Sequence, residues 1–295
     1  MIYSVLQKLF SLLLAIIVFF ANLPFLQKDP QPADEAALRI SYGSKSCENY
    51  DLFLPDKKSG EVDVVFIIHG GAWMMGDQTM FEENAKSAAA QGFVGITVDY
   101  SKLTDGATSA DMVAEMYTAV DSVKNKLREL GYTADKMAVA GHSAGAHIAL
   151  LYSYTHYSDS PIKIGFVCSN SAPSDFFDEN ADSNTTMTKF RYLAVSALIG
   201  ELVLPNHFEE ASDKISANNP VDLVSSAVPP TIVVHGAKDT MVSYSNSVQL
   251  YDKLQLCGVN SIFITYPDAD HFLEENPECR EQRTAAFMDF AEKYL

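Results

Sequence analysis

Apolar residues along this chain follow two rhythms. Short, nearly unbroken runs such as "VVFII" and "TIVV" alternate with longer stretches in which apolar residues recur every three or four positions, as between Asp111 and Leu130. A continuous run rich in β-branched residues predicts a strand covered on both faces, and the longer period predicts an amphipathic helix. The predicted order opens with a strand pair, "ALRISYG" and "YDLFLP". Next come "DVVFIIHG", a helix from Thr79 to Ala90, "GFVGITVDY", the helix from Asp111 to Leu130, "KMAVAGHS" feeding a helix from Ala144, and "KIGFVCSN". An irregular, partly helical region from Ala172 to Val228 precedes "TIVVHG", a helix from Ser243 to Leu256, "SIFITYPDADH" and a last helix ending near Tyr294. Strands alternating with helices predict an α/β fold built on a doubly wound, mainly parallel sheet. In such sheets functional groups gather at the carboxyl ends of the strands.

The first 28 residues break this pattern. An apolar stretch from Leu9 to Leu26, interrupted by Ser11, Asn22 and Pro24 and flanked by Lys8 and Lys28, predicts a signal peptide or an N-terminal membrane anchor. Phe19 and Ala21 make a poor cleavage site, and Lys8 favours an N-terminus inside with the remaining chain exported, outside the cytoplasm. Residues 35–295 form the expected folded domain, entered through the short linker from Pro30 to Asp34. The chain's 295 residues and 47% hydrophobic content are enough to fill a sizeable core, which excludes overall disorder. With 21 basic against 38 acidic residues the net charge is −17, which repels phosphate backbones and argues against nucleic acid as a partner. Membrane contact is expected only through the N-terminal segment. Cys47, Cys168, Cys257 and Cys279 lie far apart with no C-x-x-C pair, so no metal site is expected. Cys168 reads as a buried thiol, and export would make Cys257 and Cys279 the best disulfide candidates.

Three strand ends carry reactive residue types: Ser143 after "MAVAGH", Asp239 after "TIVVHGAK" and His271 after "FITYPDAD". A serine hydroxyl is a poor nucleophile until a histidine accepts its proton and a carboxylate holds that imidazole in the useful tautomer. Gly141 and Gly145 flank Ser143 in a G-x-S-x-G pentapeptide, and such glycines clear space for a strand that turns abruptly into a helix. Helix N-capping is the alternative role for the serine. "HGGAW", His69 to Trp73, ends another strand, and its paired glycines let backbone N–H groups approach a ligand. The candidate oxyanion donors are Gly70, Gly71 and Ala144, with a plain Gly-Gly turn as the alternative for the first two. Trp73 and His142 are candidate substrate-pocket residues, core packing being the alternative for Trp73. His69 and His235 read as structural hydrogen-bonders, and Asp268 and Asp270 compete with Asp239 for His271. Aromatic and aliphatic residues of the 172–228 region, Phe176, Phe177, Phe190, Tyr192, Leu198 and Leu202, suit a cap over a moderately apolar site.

Taken together, "HGGAW", "GHSAGAH", "VHGAKDTMV" and "DADHF", in that order, resemble an α/β-hydrolase of the carboxylesterase type. They are similar to small bacterial carbohydrate and feruloyl-type esterases and to hormone-sensitive-lipase-like esterases, and "GHSAGAH" also resembles arylformamidases. The resemblance covers about residues 35–295. It implies an eight-stranded sheet with helices on both faces and a small cap insertion, with Ser143 as nucleophile, Asp239 as acid and His271 as base. It departs at Ala72, where the hormone-sensitive-lipase-like group has a third glycine. The implied activity is hydrolysis, without a cofactor, of a small-molecule acyl ester, free or carbohydrate-linked. An amidase such as an arylformamidase or a serine peptidase uses the same residues, and a non-catalytic binding protein on the hydrolase fold is the remaining alternative.

Overall fold

The computed structural model describes residues 38–273 and 277–295. The expected signal or anchor, residues 1–28, lies outside the described residues. The strands are β1 (Leu38–Ser41), β2 (Asn49–Phe53), β3 (Gly60–Glu61), β4 (Val64–Ile68), β5 (Val94–Val98), β6 (Tyr132–Thr133), β7 (Lys136–His142), β8 (Lys163–Asn170), β9 (Thr231–Gly236) and β10 (Ser261–Tyr266). The helices are α1 (Glu82–Ala90), α2 (Ser109–Glu129), α3 (Ala144–Thr155), α4 (Thr186–Ile199), α5 (Ser212–Ser216), α6 (Pro220–Leu223), α7 (Tyr244–Leu256) and α8 (Pro277–Tyr294). Eight strands form one sheet in the order β1-β2-β5-β4-β7-β8-β9-β10. β2 pairs antiparallel with β1 and β5, and every other neighbour pair is parallel. The small parallel pair β3–β6 was not legible, because two residues carry no periodicity.

Residue alternation on the central strands explains their unbroken apolar runs. Val64, Phe66 and Ile68 join the core beneath α2, α3, α7 and the cap, while Val65 and Ile67 pack with Phe53 against Ala85 and Ala88 of α1. Farther along the same face as α1, Phe166, Ile232 and Val234 pack with Ala286 and Ala291 of α8. A strand buried on both faces needs an apolar residue at every position. The 172–228 region supplies α4, α5 and α6, and its Phe176, Val195, Leu198 and Ile215 belong to the same core as the sheet. It is therefore a packed insertion. Its α4 begins with Thr186 and Met187 donating their N–H groups to Thr240 and Met241 carbonyls, at 2.9 and 2.7 Å.

Cysteine chemistry does not reinforce this core. Cys257 Sγ faces the Val224 carbonyl and Cys279 Sγ the Thr265 carbonyl, each at 3.7 Å, so the Cys257–Cys279 bridge expected on export is not formed. Cys168 is a buried thiol, and burial pushes its pKa up to about 11. Apolar packing carries the stability instead. Truncating fully buried Phe66 removes both transfer energy and packing contacts, so Phe66→Ala is expected to lower the unfolding free energy by about 3–5 kcal/mol in urea titrations.

Candidate active site

β4 and β7 lie side by side, and the chain leaves them in opposite directions across the sheet, β4 toward β5 and β7 toward β8. Such a switch point opens a crevice at the strands' carboxyl ends. Register then decides which residues meet there. Ile68 pairs with Gly141, so the segments that follow, His69-Gly70 and His142-Ser143, emerge together. A side chain on Gly70 would begin 3.4 Å from Ser143 Cβ, which measures how closely the "HGGAW" loop approaches the serine.

Ser143 adopts φ 56° and ψ −124° between β7 and α3. A non-glycine residue there costs about 1–3 kcal/mol and persists only where the surroundings impose it. The surroundings are the two flanking glycines: a Cβ on Gly141 would lie 2.4 Å from the Gly145 carbonyl oxygen, and one on Gly145 would lie 2.2 Å from that of Ile68. Although Ser143 occupies the N-cap position of α3, its side chain makes no capping hydrogen bond. Its hydroxyl is left at the tip of the turn.

β9 and β10 deliver the other two groups. Asp239, three residues past the end of β9, and His271, five past β10, are both buried, and His271 Nδ1 donates to Asp239 Oδ2 at 2.7 Å. The same oxygen accepts from His235 Nε2 at 3.0 Å, while Oδ1 accepts the Met241 and Val242 N–H groups at 2.7 and 2.9 Å. Burial alone raises a carboxyl pKa; here the charge of His271 and the hydrogen bonds from His235 and His271 outweigh it and hold Asp239 well below the usual range. Ser247 completes the chain, its hydroxyl 2.6 Å from His235 Nδ1. His235 is thus more than a strand-end hydrogen-bonder, because it touches the carboxylate itself. Asp268 pairs with Lys238 at 2.7 Å and Asp270 accepts the Phe272 N–H at 2.9 Å, so neither competes for His271.

His142 brings the serine turn and the histidine loop together. Its Nε2 donates to the His271 carbonyl at 2.8 Å, its ring lies 4.8 Å from that of His271, and Ser171 Oγ donates to the same carbonyl at 3.2 Å. Neither Ser143 Oγ nor His271 Nε2 is engaged in a hydrogen bond among the described residues, and such contacts are often long before substrate binds. Trp73 lies in the main core, 3% exposed, with its indole N–H donating to His147 Nδ1 at 3.2 Å. His147 Nε2 in turn donates to the Asn218 carbonyl at 2.9 Å.

Apolar residues around the site were not legible as a group. Met241 is buried beneath Ala72, Met74 and Met75 of the "HGGAW" loop, Phe190 and Leu193 of α4, and Phe272. Five of the seven lie in or beside a motif in sequence, and Phe190 belongs to the expected cap, but nothing in the chain groups them. Of the cap residues expected near the site, Phe190 borders this patch, Phe176 and Leu198 lie in the core, Phe177 and Tyr192 pack edge-on against Phe208, and Leu202 is exposed to solvent. No group of residues able to hold a metal ion occurs among the described residues.

This sheet order, with a serine turn after β7 and an acid and a histidine after β9 and β10, defines an α/β-hydrolase. More narrowly, the chain belongs to the BD-FAE family, whose profile matches residues 50–254. It is 27% identical over 244 residues to isoprenylcysteine alpha-carbonyl methylesterase ICME of Arabidopsis thaliana, covering 79% of this chain and 55% of that protein. To esterase LipQ of Mycobacterium tuberculosis it is 24% identical over 275 residues, covering 91% and 65%. The chain thus spans roughly half to two-thirds of the length of these relatives. Among solved structures, esterase B from Lactobacillus Rhamnosis superposes with a TM-score of 0.76 at 16% identity, covering 98% of this chain and 95% of that one. A truncated carbohydrate esterase from gut microbiota superposes with a TM-score of 0.71 at 18% identity, covering 88% and 99%.

Two histidines at the site dictate its acid behaviour. Burial, and then the neighbouring His271, push His142 down to about 3, and burial pushes His147 down to about 4. Both values lie below that of an unfolded histidine, so between about pH 3 and 6.5 the unfolded chain binds more protons and stability falls as pH falls. Each such histidine costs the fold about 2 kcal/mol between pH 6.5 and 5. Urea midpoints at pH 7 and pH 5 are expected to separate widely in the wild type and less in His147→Gln, whose amide accepts from Trp73 and donates to Asn218 without titrating.

Proposed function

We propose that the protein is a serine carboxylic ester hydrolase acting through an acyl-enzyme. The observation that carries this reading is the 2.7 Å hydrogen bond from His271 Nδ1 to Asp239, beside a serine held in a strained strand-to-helix turn. Donation from Nδ1 leaves Nε2 as the free base. Ser143 Oγ attacks the ester carbonyl as His271 Nε2 takes its proton. The resulting oxyanion is met by the backbone N–H groups of Gly70, Gly71 and Ala144. As the tetrahedral species collapses, the C–O bond to the alcohol breaks and the leaving oxygen receives the proton from His271. Water, deprotonated by the same Nε2, then attacks the acyl carbonyl and returns Ser143. Every proton is carried by this chain's own side chains.

The apolar patch of Met74, Met75, Met241, Phe190, Leu193 and Phe272 supports an apolar acyl or alcohol group on the substrate. Relatives named as esterases, one of them a carbohydrate esterase, support ester over amide bonds. The apolar run from Leu9 to Leu26 supports delivery of the domain outside the cytoplasm, as an exported or anchored enzyme.

Ser143→Ala is expected to lower kcat/KM toward p-nitrophenyl esters by at least about 10³-fold, and Asp239→Asn by a similar factor, with the fold retained. A panel running from acetyl to octanoyl esters, acetylated sugars and N-formylkynurenine measures acyl and bond preference. Equal rates for wild type and Ser143→Ala, or failure of a serine-directed phosphonate to label Ser143, would overturn the mechanism.

A further inference from the structure

Beneath the "HGGAW" loop lies a buried polar group that the mechanism above does not use. Lys102, 8% exposed, follows β5 and turns its ammonium inward. Its Nζ contacts Asp99 Oδ1, the Tyr100 carbonyl at 2.7 Å and His69 Nε2 at 3.1 Å, with the Tyr100 ring centroid 4.0 Å away. An ammonium has three N–H bonds and no acceptor, and here it faces three acceptors. His69, 1% exposed, stacks on Tyr100 at 4.4 Å and places Nδ1 2.6 Å from the Gly70 carbonyl oxygen.

We propose that Lys102 is a positioning residue: by donating to His69 Nε2 it holds His69 in the Nδ1-protonated tautomer, which pins the Gly70 carbonyl and so aims the Gly71 N–H at the oxyanion. The inference rests on the ester-hydrolase reading of the site, but its first link is a proton position that stands apart from turnover. A carbonyl oxygen only accepts, so the ring nitrogen facing Gly70 must carry hydrogen. Were Nε2 protonated instead, donating to Asp99 Oδ1 at 3.0 Å, two lone pairs would face each other across 2.6 Å at Gly70 with no donor between them, whereas an unprotonated Nε2 and Asp99 Oδ1 are bridged by the Lys102 ammonium that contacts both. Lys102 forbids that alternative, because its own N–H bonds require Nε2 to accept. A doubly protonated ring would set a second full positive charge against Lys102 in a buried site. Burial, with Lys102 adding to it, indeed pushes the His69 pKa down.

The consequence passes through one peptide plane. Among the described residues every peptide bond is trans, so the Gly70 carbonyl and the Gly71 N–H point in opposite directions. With the carbonyl held inward by His69, the N–H is turned outward, and it donates to no protein acceptor among the described residues. Gly71, Ala72 and Trp73 have φ of 114°, 52° and 59°, a run that does not hold itself without anchors. The Lys102 segment supplies a second anchor where the Leu103 N–H donates to the Trp73 carbonyl at 2.9 Å.

Nitrogen-15 NMR of the full-length protein labelled at histidine tests this, the His69 signal being identified by its loss in His69→Asn. The wild type should show His69 protonated at Nδ1, a measurement that needs no Lys102 variant to fold. In Lys102→Met the proton should move to Nε2, with kcat on p-nitrophenyl acetate falling on the order of 10- to 100-fold while KM stays within about twofold, part of what removing an oxyanion donor costs. Wild-type His69 protonated at Nε2, a Lys102→Met enzyme with unchanged tautomer, or one with unchanged kcat would each overturn the proposal. Persistence of turnover in Ser143→Ala would instead overturn the hydrolase reading, leaving the tautomer result standing.

Discussion

Backbone crowding at one point governs this molecule. Where β7 turns into α3, the Gly145 Cα sits so near the Ile68 and His69 carbonyls that a single added carbon would overlap them, and Gly141 lies equally tight against the start of the helix. Close approach of this kind fixes three things together. It sets the distance between the "HGGAW" loop and Ser143, forces Ser143 into a positive φ, and seats α3 deep on the sheet, where Ala146, Ile148, Ala149 and Leu150 are fully buried. A looser contact would relieve the strain at Ser143, and with it the exposure of the hydroxyl.

Charge is handled by enclosure in hydrogen bonds. Asp239 is buried yet spends both oxygens on four donors, two of them imidazoles. Burying a carboxylate is costly unless it is fully bonded, and here the same bonds that stabilise it also orient His271. A comparable arrangement recurs at Asp99, where Lys102 and the Tyr100 N–H share one carboxylate oxygen beside His69. Both carboxylates stand at the carboxyl ends of strands, one behind His271 and one behind the "HGGAW" loop.

Much of this was legible in the chain because physics leaves few choices at those places. Continuous runs such as "VVFII" read as central strands since both faces are covered, and the chain's alternation gave the mainly parallel sheet. Ser143, Gly70, Gly71, Asp239 and His271 were named from strand-end position and residue chemistry, and the fold draws them toward one crevice. Contacts between segments far apart in sequence were not legible. Nothing local announces that His142 reaches across to the His271 carbonyl, or that Trp73 spends its indole N–H on His147. The residues around Met241 come from the "HGGAW" loop, the cap and the His271 loop, so no periodicity links them. Lys102 reads as a surface residue by type, and only the fold buries it.

The seam between cap and sheet has a mechanical meaning. α4 starts by donating two backbone N–H groups to Thr240 and Met241, immediately after Asp239, and the cap residue Asp182 donates its N–H to Ser243 Oγ at 3.0 Å. The wall that carries Phe190 and Leu193 is therefore bolted to the loop that carries the carboxylate. In this geometry the cap cannot swing as an independent door: any displacement of α4 large enough to admit a bulkier guest pulls on the Asp239 loop, and through it on the imidazole. Under the proposed mechanism guest size and proton transfer are mechanically geared, so widening the chamber and keeping His271 aligned are opposing demands on the same backbone hydrogen bonds.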